Sequence, residues 1–338
     1  MLISIQALRA FAAWVVVLHH FMQVSFDFRI SNPLELLLVT RAQMGVDIFF
    51  VLSGFVIYIT TAGRSVDTGQ FLWRRAARIV PVYWFYTAVT AAILYFAGDI
   101  MPIYGLDLPS LLASLFFVPH ENPAGFGDYP VLPVGWTLNF EMMFYVLFAL
   151  CLLLPERWRL WSLVGAIALL NLLLARYAPV SDFYKNPIIY EFLLGVGVGV
   201  LYRRGFLAPT RHRWLWGLAG AACFAFMLGF DDQSPWRLLV WGLPAGFLVI
   251  ALIRLEPLFS RCQSLRRMGD RSYSVYLVHI IVLWLSEALF HQKLGWSPWV
   301  SLMLSVLAIA ALSKASFELI EKRLTRHLAP ARARPAPA

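Results

Sequence analysis

Long apolar runs separated by short polar or basic stretches recur along almost the whole 338-residue chain. A helix needs about 20 mostly apolar residues to cross the hydrocarbon core of a bilayer. The pattern therefore predicts an all-α, polytopic membrane protein with ten transmembrane helices. The predicted spans cover residues 6–27, 44–62, 78–97, 136–154, 159–177, 186–203, 214–230, 237–254, 273–290 and 298–320.

One further apolar run, residues 108–119, lies between prolines and is too short to be a span. As a helix it would be about 18 Å long, against a hydrocarbon core about 30 Å thick. We predict a short re-entrant or interfacial helix here.

This run lies in the one long connection, residues 98–135, which contains no Lys or Arg. Acidic and aromatic groups together suit a sugar or another polar ligand, and an interfacial lid with aromatic anchors is the alternative interpretation. The acidic, histidine and aromatic side chains concerned are Asp99, Tyr104, Asp107, His120, Glu121, Phe126, Asp128 and Tyr129.

Composition agrees with a membrane protein, because 60% of the residues are hydrophobic and only 14% are charged, with a mean hydropathy of +0.69. Soluble domains carry about 25% charged residues. A net charge of +9 would suggest nucleic acid as the partner of a soluble protein. In a membrane protein, lysine and arginine retained on the cytoplasmic side explain such a positive net charge. We therefore expect no nucleic-acid partner.

The positions of the 28 Lys and Arg residues orient the predicted helices. With a cytoplasmic N-terminus, the basic connections 64–78, 203–213 and 254–271 all face the cytoplasm, as the positive-inside rule requires. If residues 108–119 formed a full span, the later basic connections would lie outside. We therefore expect both termini to be cytoplasmic.

The chain is expected to form one membrane domain, residues 1–325, and a basic, disordered cytoplasmic tail, residues 326–338. The first apolar run ends in HHFM rather than in a small-residue cleavage site, so it is predicted to be a retained helix. The three cysteines have no spacing that suits a disulfide or a metal. No metal site is expected.

The first predicted helix places Arg9 and His20 on nearly one face. Eleven residues at about 100° per residue separate them, and the axial distance is about 16 Å. A snorkelling arginine and a core histidine are the ordinary roles of such residues, but the shared face favours a functional pair. His19 is turned about 100° away and stays open as an alternative to His20.

Other polar residues recur inside or at the ends of later predicted helices. Ionisable groups in a membrane span are costly and are functional by default. Arg75 and Arg78 share one helical face and suit a phosphate-rich ligand, with an ordinary positive-inside cluster as the alternative. Ordered by depth in the membrane, the arginines lie towards the cytoplasmic side, the histidines and a serine lie in the middle, and the carboxylates lie towards the outer side. The remaining candidates are Asp47, Ser53, Glu141, Tyr276 and His279.

Five stretches resemble, in the expected order, motifs of the integral membrane acyltransferase type 3 family. They are LRAFAAWVVVLHHF, GVDIFFVLSGFVI, RRAARIVPVYW, WTLNFEMMFY and SYSVYLVH. The chain is most similar to stand-alone exopolysaccharide O-acetyltransferases, because no extracellular hydrolase-like domain is attached. Two features depart from the family pattern: the doubled histidine at His19 and His20, and FELIEKRL, which lacks the glutamate-proline pair common there.

The resemblance implies a multi-pass enzyme of the bacterial inner membrane that transfers an acyl group, chiefly acetyl, from cytoplasmic acyl-CoA. The acceptor it implies is a sugar hydroxyl of an exopolysaccharide or other envelope glycan, free or lipid-linked. The resemblance further implies that His20 is essential for transfer and that Arg9, Arg75 and Arg78 are needed for activity. Acyl-CoA is then a co-substrate, and no tightly bound cofactor is expected.

From these assignments we expect the arginines to hold the phosphates of coenzyme A by bidentate contacts. His20 is expected to act as a general base or to be acylated transiently. Glu141 and Asp47 are expected to orient the imidazole or hold the sugar. Ser53, Tyr276 and His279 are expected to support them. A secondary transporter or glycan flippase is the alternative function, although no inverted repeat is found.

Overall fold

The computed structural model describes residues 2–64, 66–177, 181–209, 211–231 and 236–328. Every regular element in these ranges is a helix, which confirms the prediction of an all-α chain. Most of the predicted disordered tail, residues 329–338, lies outside the described residues.

The α-helices are numbered here in chain order. They are α1 (Ile3–Phe26), α2 (Pro33–Thr40), α3 (Met44–Thr61), α4 (Thr68–Phe96), α5 (Leu108–Leu115), α6 (Trp136–Leu152), α7 (Glu156–Leu169), α8 (Glu191–Arg203), α9 (Arg213–Leu228), α10 (Leu243–Arg254), α11 (Glu256–Phe259), α12 (Gln263–Asp270), α13 (Ser272–Ser286), α14 (Pro298–Ser316) and α15 (Lys322–Leu328). Segments of π-helix extend several of them, at Leu170–Leu174, Leu238–Gly242, Glu287–Lys293 and Phe317–Glu321.

Within the described ranges, seven helical segments are long and apolar enough to cross a membrane, so this is a multi-pass membrane protein. These segments are Ile3–Phe26, Pro33–Thr61, Thr68–Phe96, Pro133–Leu152, Glu156–Tyr177, Ser272–Lys293 and Pro298–Thr325. Two shorter apolar helices, Arg213–Leu228 and Leu238–Arg254, correspond to the predicted spans 214–230 and 237–254. The predicted span 186–203 contains only the 13-residue α8, after a 3-10 turn at Pro187–Tyr190.

One helix start and one additional helix differ from the sequence-based prediction. Helix α4 begins at Thr68 rather than at residue 78, because the Asp67 side chain accepts the Gln70 amide and caps it. Helix α2 was not predicted, since its eight residues are far too few for a span. Helix α5 also has eight residues, as expected for the short apolar run at 108–119.

Helices α3 and α8 pack closely through glycines. A Cβ atom added to Gly54 would lie 2.0 Å from the Phe192 carbonyl oxygen, and one added to Gly195 would lie 1.9 Å from that of Val51. The GVGVG run is therefore a packing surface, as small residues allow backbones to approach in membrane proteins.

The bundle has two distinguishable ends. The basic end carries the connections 203–213 and 254–271, where Glu256 accepts the backbone amides of Ile3 and Ser4 and fixes the start of α1. The loop end carries residues 98–132 and the last turns of α1 and α13. The functional candidates lie between these ends.

Candidate active site

A cavity with an empty volume of about 830 Å³ lies among α1, α3, α4, α6 and α13. Arg9 from α1 and Arg75 and Arg78 from α4 all line it. The three arginines expected to act together are thus brought to one space. Ser53 and Tyr276 also line this cavity.

The early start of α4 places its two arginines inside a regular helix, where spacing of three residues keeps them on one face. The Arg75 guanidinium lies 5.5 Å from the ring centroid of Phe71 and 5.9 Å from that of Tyr145. Its Nη2 donates to Thr60 Oγ1 at 3.4 Å, and its Nε is buried without a hydrogen-bond partner. Arg75 therefore has a donor free for a ligand.

Glu141 lies with the arginines rather than with the histidines. It accepts a hydrogen bond from Ser53 Oγ at 3.0 Å and another from the Tyr145 hydroxyl. Its charge acts on Arg9 and on Arg75. In the part of the chain that the structure describes, no hydrogen bond joins Glu141 to His20, so the expected contact with the imidazole is not found.

Glu321 is a candidate that sequence reasoning missed. It is 6% exposed, accepts from Ser274 Oγ at 3.1 Å, and interacts electrostatically with Arg78 and Arg9. The signal was present as a glutamate in the apolar stretch FELIEKRL, which was considered only for its missing proline. Together with Glu141, Glu321 offsets part of the positive charge of the cavity.

Towards the loop end, His20 and His279 form a pair, with Nδ1 of His20 3.1 Å from Nε2 of His279. The Nδ1 atom of each ring also faces a backbone carbonyl oxygen of its own helix, that of Val16 at 3.1 Å and that of Val275 at 3.2 Å. A carbonyl oxygen can only accept, so each Nδ1 must carry the proton in the neutral rings. His279 Nε2 then accepts from His20, and the lone pair of His20 lies on Nε2.

The His19 side chain faces α2 rather than His279. Its Nδ1 lies 3.4 Å from the Leu38 carbonyl oxygen of α2, and its ring centroid is 5.2 Å from that of Phe28. Of the two adjacent histidines, the geometry therefore favours His20 as the partner of His279.

Tyr276 lies between the arginine cavity and the histidine pair. It lines the cavity, and its ring centroid is 5.7 Å from that of His279, one turn further along α13. Its hydroxyl donates to the Val134 carbonyl oxygen at 3.1 Å, which fixes the ring. Neither His20 nor His279 lines the cavity, so the Tyr276 ring separates the arginines from the histidine pair.

Asp47, which was expected to orient the imidazole or hold the sugar, does not line the cavity. It is fully buried and accepts from Arg237 Nε at 3.0 Å and Nη2 at 2.8 Å. Glu191 of α8 lies beside this ion pair. The fork of the guanidinium matches both carboxylate oxygens, which accounts for the position of Asp47 next to α10 rather than next to the imidazole.

Fold and site together define a multi-pass membrane protein with a basic and imidazole-containing site inside its helix bundle. The chain belongs to the acyltransferase type 3 family, whose acyltransferase domain matches residues 2–314. It is a membrane O-acyltransferase, which confirms the class expected from the motifs.

Individual relatives support the same family. The exopolysaccharide production protein ExoZ of Rhizobium meliloti (strain 1021) is 36% identical over 298 residues, which are 85% of this chain and 90% of that protein. Nodulation protein 10 of Rhizobium leguminosarum bv. viciae is 27% identical over 315 residues, 81% of this chain and 80% of that protein. The peptidoglycan O-acetyltransferase OatA of Listeria monocytogenes is 26% identical, covering 96% of this chain and 56% of that longer protein. No solved structure matches the chain.

Proposed function

We propose that this enzyme transfers an acyl group, acetyl in the first instance, from acyl-CoA to a sugar hydroxyl of an exopolysaccharide or other envelope glycan. One observation carries the proposal: Arg9, Arg75 and Arg78 converge on a cavity whose wall includes Tyr276, and the Tyr276 ring contacts His279 of the His20–His279 pair. Phosphate-binding groups and a base are the two parts that acyl transfer from coenzyme A requires. The exopolysaccharide production protein named above supports the choice of acceptor class.

The proposed topology has ten spans with both termini in the cytoplasm, in a bacterial inner membrane. The basic end then faces the cytoplasm, in accord with the positive-inside rule. The shorter helices α8, α9 and α10 complete the ten spans. A 3-10 turn lengthens α8, and a π-helical segment lengthens α10. Acyl-CoA reaches the arginines from the cytoplasm, and the glycan reaches the histidines from the outer side.

The donor's phosphates bind the guanidinium groups by charge-assisted, bidentate hydrogen bonds. Arg9 is held ready for this by Gln6, whose Oε1 accepts from its Nη1 at 3.2 Å. The thin pantetheine arm extends past Tyr276 and brings the thioester to His20. Glu141 and Glu321 keep the empty cavity from carrying three uncompensated positive charges.

In direct transfer, His20 Nε2 takes the proton of the sugar hydroxyl as its oxygen attacks the thioester carbonyl carbon. The carbon–sulfur bond breaks, and the thiolate leaves with the proton that His20 releases. In the alternative sequence, Nε2 itself attacks the thioester carbonyl carbon, and the carbon–sulfur bond breaks as the thiolate leaves. The sugar oxygen then attacks the acyl carbon, the carbon–nitrogen bond to the imidazole breaks, and the hydroxyl proton passes to the thiolate. The Val16 carbonyl oxygen and His279 Nε2 together hold the tautomer that both routes need.

The test uses the purified protein in vesicles with labelled acetyl-CoA and an acceptor glycan. The proposal expects label transfer by the wild type and by His19→Ala, and its loss in His20→Ala. Equal transfer by His20→Ala would refute the assignment of the base. Movement of glycan across the vesicle wall without any transfer of label would instead support the transporter or flippase.

A further inference from the structure

The segment between α4 and α6 is built around one buried side chain at the loop end. Asn122 is 1% exposed, and its Oδ1 accepts the backbone amides of Gly105 at 2.9 Å and Ala124 at 3.1 Å. Its backbone amide donates to the Gly127 carbonyl oxygen at 2.8 Å, and its Nδ2 donates to that of Tyr129 at 3.4 Å. Two separate stretches of the segment are thereby held at fixed positions.

These stretches bring three aromatic rings together. The ring centroid of Phe126 is 5.4 Å from that of Tyr104 and 5.5 Å from that of Tyr129. Tyr104 is 7% exposed, whereas Phe126 is 40% exposed. The group is therefore anchored by Tyr104 and presents Phe126 to a ligand at the surface.

The aromatic group contacts the helices α1 and α13 beyond the histidine pair. Gln23 Nε2 donates to the Tyr104 hydroxyl at 3.5 Å. Gln23 follows His20 by three residues, which places it on nearly the same face of α1, about 4.5 Å closer to the loop end. The ring of Tyr104 also contacts that of Trp284 on α13, the helix that carries His279.

Polar groups accompany the rings. The Trp284 side chain is buried, and its Nε1 has no hydrogen-bond partner among the described residues. The Gln23 amide and the hydroxyls of Tyr104 and Tyr129 supply further donors and acceptors. A pyranose has an apolar face of C–H groups and a rim of hydroxyls, so it matches aromatic rings combined with hydrogen-bonding groups.

The charge of residues 98–135 favours uncharged sugars over negatively charged ones. This segment contains no Lys or Arg, and Asp128 adjoins Tyr129 in the sequence. Burial and the neighbouring Asp128 raise the pKa of Tyr129, so its hydroxyl stays a neutral donor. A saccharide that carries carboxylates would be repelled by Asp128, the carboxylate next to Tyr129.

We propose that Gln23, Tyr104, Phe126 and Tyr129 form an acceptor subsite for an uncharged pyranose, directly outward of His20. The proposal rests on the function proposed above and adds the class of sugar that the enzyme accepts. Stacking on Phe126 holds the sugar, Gln23 and the tyrosines bind its hydroxyls, and a neighbouring hydroxyl points inward to His20 Nε2.

The first test compares Phe126→Ala with Phe96→Ala in the reconstituted transfer assay. Phe96 is 83% exposed at the end of α4, and its ring pairs with Tyr95 rather than with a ring of the subsite, so it is the exposed aromatic control. Phe126→Ala is expected to raise KM for a neutral oligosaccharide about tenfold, which equals about 1.4 kcal/mol, with KM for acetyl-CoA unchanged. Equal KM values in the two variants would refute the subsite. Failure of the wild type to transfer label would instead refute the proposed function.

The second test addresses charge, by comparing kcat/KM for a neutral oligosaccharide and for one that contains a uronic acid. The wild type is expected to prefer the neutral acceptor, and Asp128→Asn is expected to narrow the preference. Asp99→Asn removes the same charge from an exposed position earlier in the segment and is the control. A wild type that uses both acceptors equally, or an Asp128→Asn variant with an unchanged ratio, would refute the selection by charge.

Discussion

His20 and His279 are bonded ring to ring, Nδ1 to Nε2, at 3.1 Å, while the Nδ1 atom of each faces a carbonyl oxygen one turn back in its own helix. This combination allows one neutral tautomer for each ring. The lone pair of the neutral His20 ring therefore lies on Nε2. His279 is therefore a positioning residue that acts through His20.

Because His279 accepts a hydrogen bond from His20, we expect the activity of a variant at position 279 to depend on whether the new side chain can also accept it. His279→Gln retains an oxygen that can accept from His20 Nδ1, so we expect kcat within a few-fold of the wild type. His279→Leu leaves the Val16 carbonyl oxygen facing His20 Nδ1 but removes the contact that orients the ring from α13. It is therefore expected to lower kcat by up to about 10²-fold, the lower bound for loss of an oriented base.

The measurement is kcat and KM for acetyl-CoA in the reconstituted assay, with thermal unfolding as the check on folding. KM for the donor is expected to stay unchanged in both variants. If His279→Gln and His279→Leu lose the same activity at equal stability, the hydrogen bond to His20 is not what His279 contributes.

The arginine cavity predicts a donor-specific effect on binding. Arg75→Gln is expected to raise KM for acetyl-CoA about 10- to 100-fold, since a charge-assisted hydrogen bond contributes about 1.5–3 kcal/mol. Arg74→Gln is the matched control, because Arg74 is exposed and donates only to Gln70 on its own helix, at 3.3 Å. Initial rates over a range of acetyl-CoA concentrations give both values. Equal effects of the two substitutions would mean that general positive charge at this end, rather than Arg75, binds the donor.

Several of these relationships follow from sequence and others do not. The helices were predictable because apolar length is a local property, and the joint position of Arg75 and Arg78 follows from helical periodicity. The partners of Glu141 and Asp47 were not predictable, because periodicity gives the face of a residue but not the helix that packs against that face. Glu141 was expected to orient the imidazole or hold the sugar, and the fold gives it Ser53 and Tyr145 as hydrogen-bond partners.

Helix boundaries show the same limit. The residues from Thr68 to Ala77 are too polar for a hydropathy pattern to include, so α4 was predicted about ten residues too short. The side-chain cap by Asp67 extends it, and a capping residue was not considered. The buried Glu321 was overlooked for a related reason, since its charge partners Arg9 and Arg78 come from two distant helices.

The packing of α3 against α8 predicts opposite outcomes for two glycines of the same helix. Gly195→Ala would place a methyl group 1.9 Å from the Val51 carbonyl oxygen, so the helices must separate and the melting temperature must fall. Gly197→Ala meets no atom within 4 Å and replaces glycine in a helix, so we expect unchanged or slightly higher stability. Thermal unfolding in detergent measures both. Similar melting temperatures for the two variants would contradict this account of the glycine-rich surface.

The buried ion pair predicts that Asp47 contributes stability rather than chemistry. Asp47→Ala leaves the Arg237 guanidinium without its bidentate partner in the protein interior, which costs about 3–5 kcal/mol. Asp182→Ala removes a carboxylate from an exposed pair with Lys185, 77% exposed on the aspartate side, and is expected to change stability by less than about 1 kcal/mol. Chemical unfolding in detergent compares the two variants, and acyl transfer is measured below the unfolding range. A large loss of kcat in Asp47→Ala at unchanged stability would place this carboxylate in the reaction, because a purely structural carboxylate can lower activity only by lowering the folded fraction.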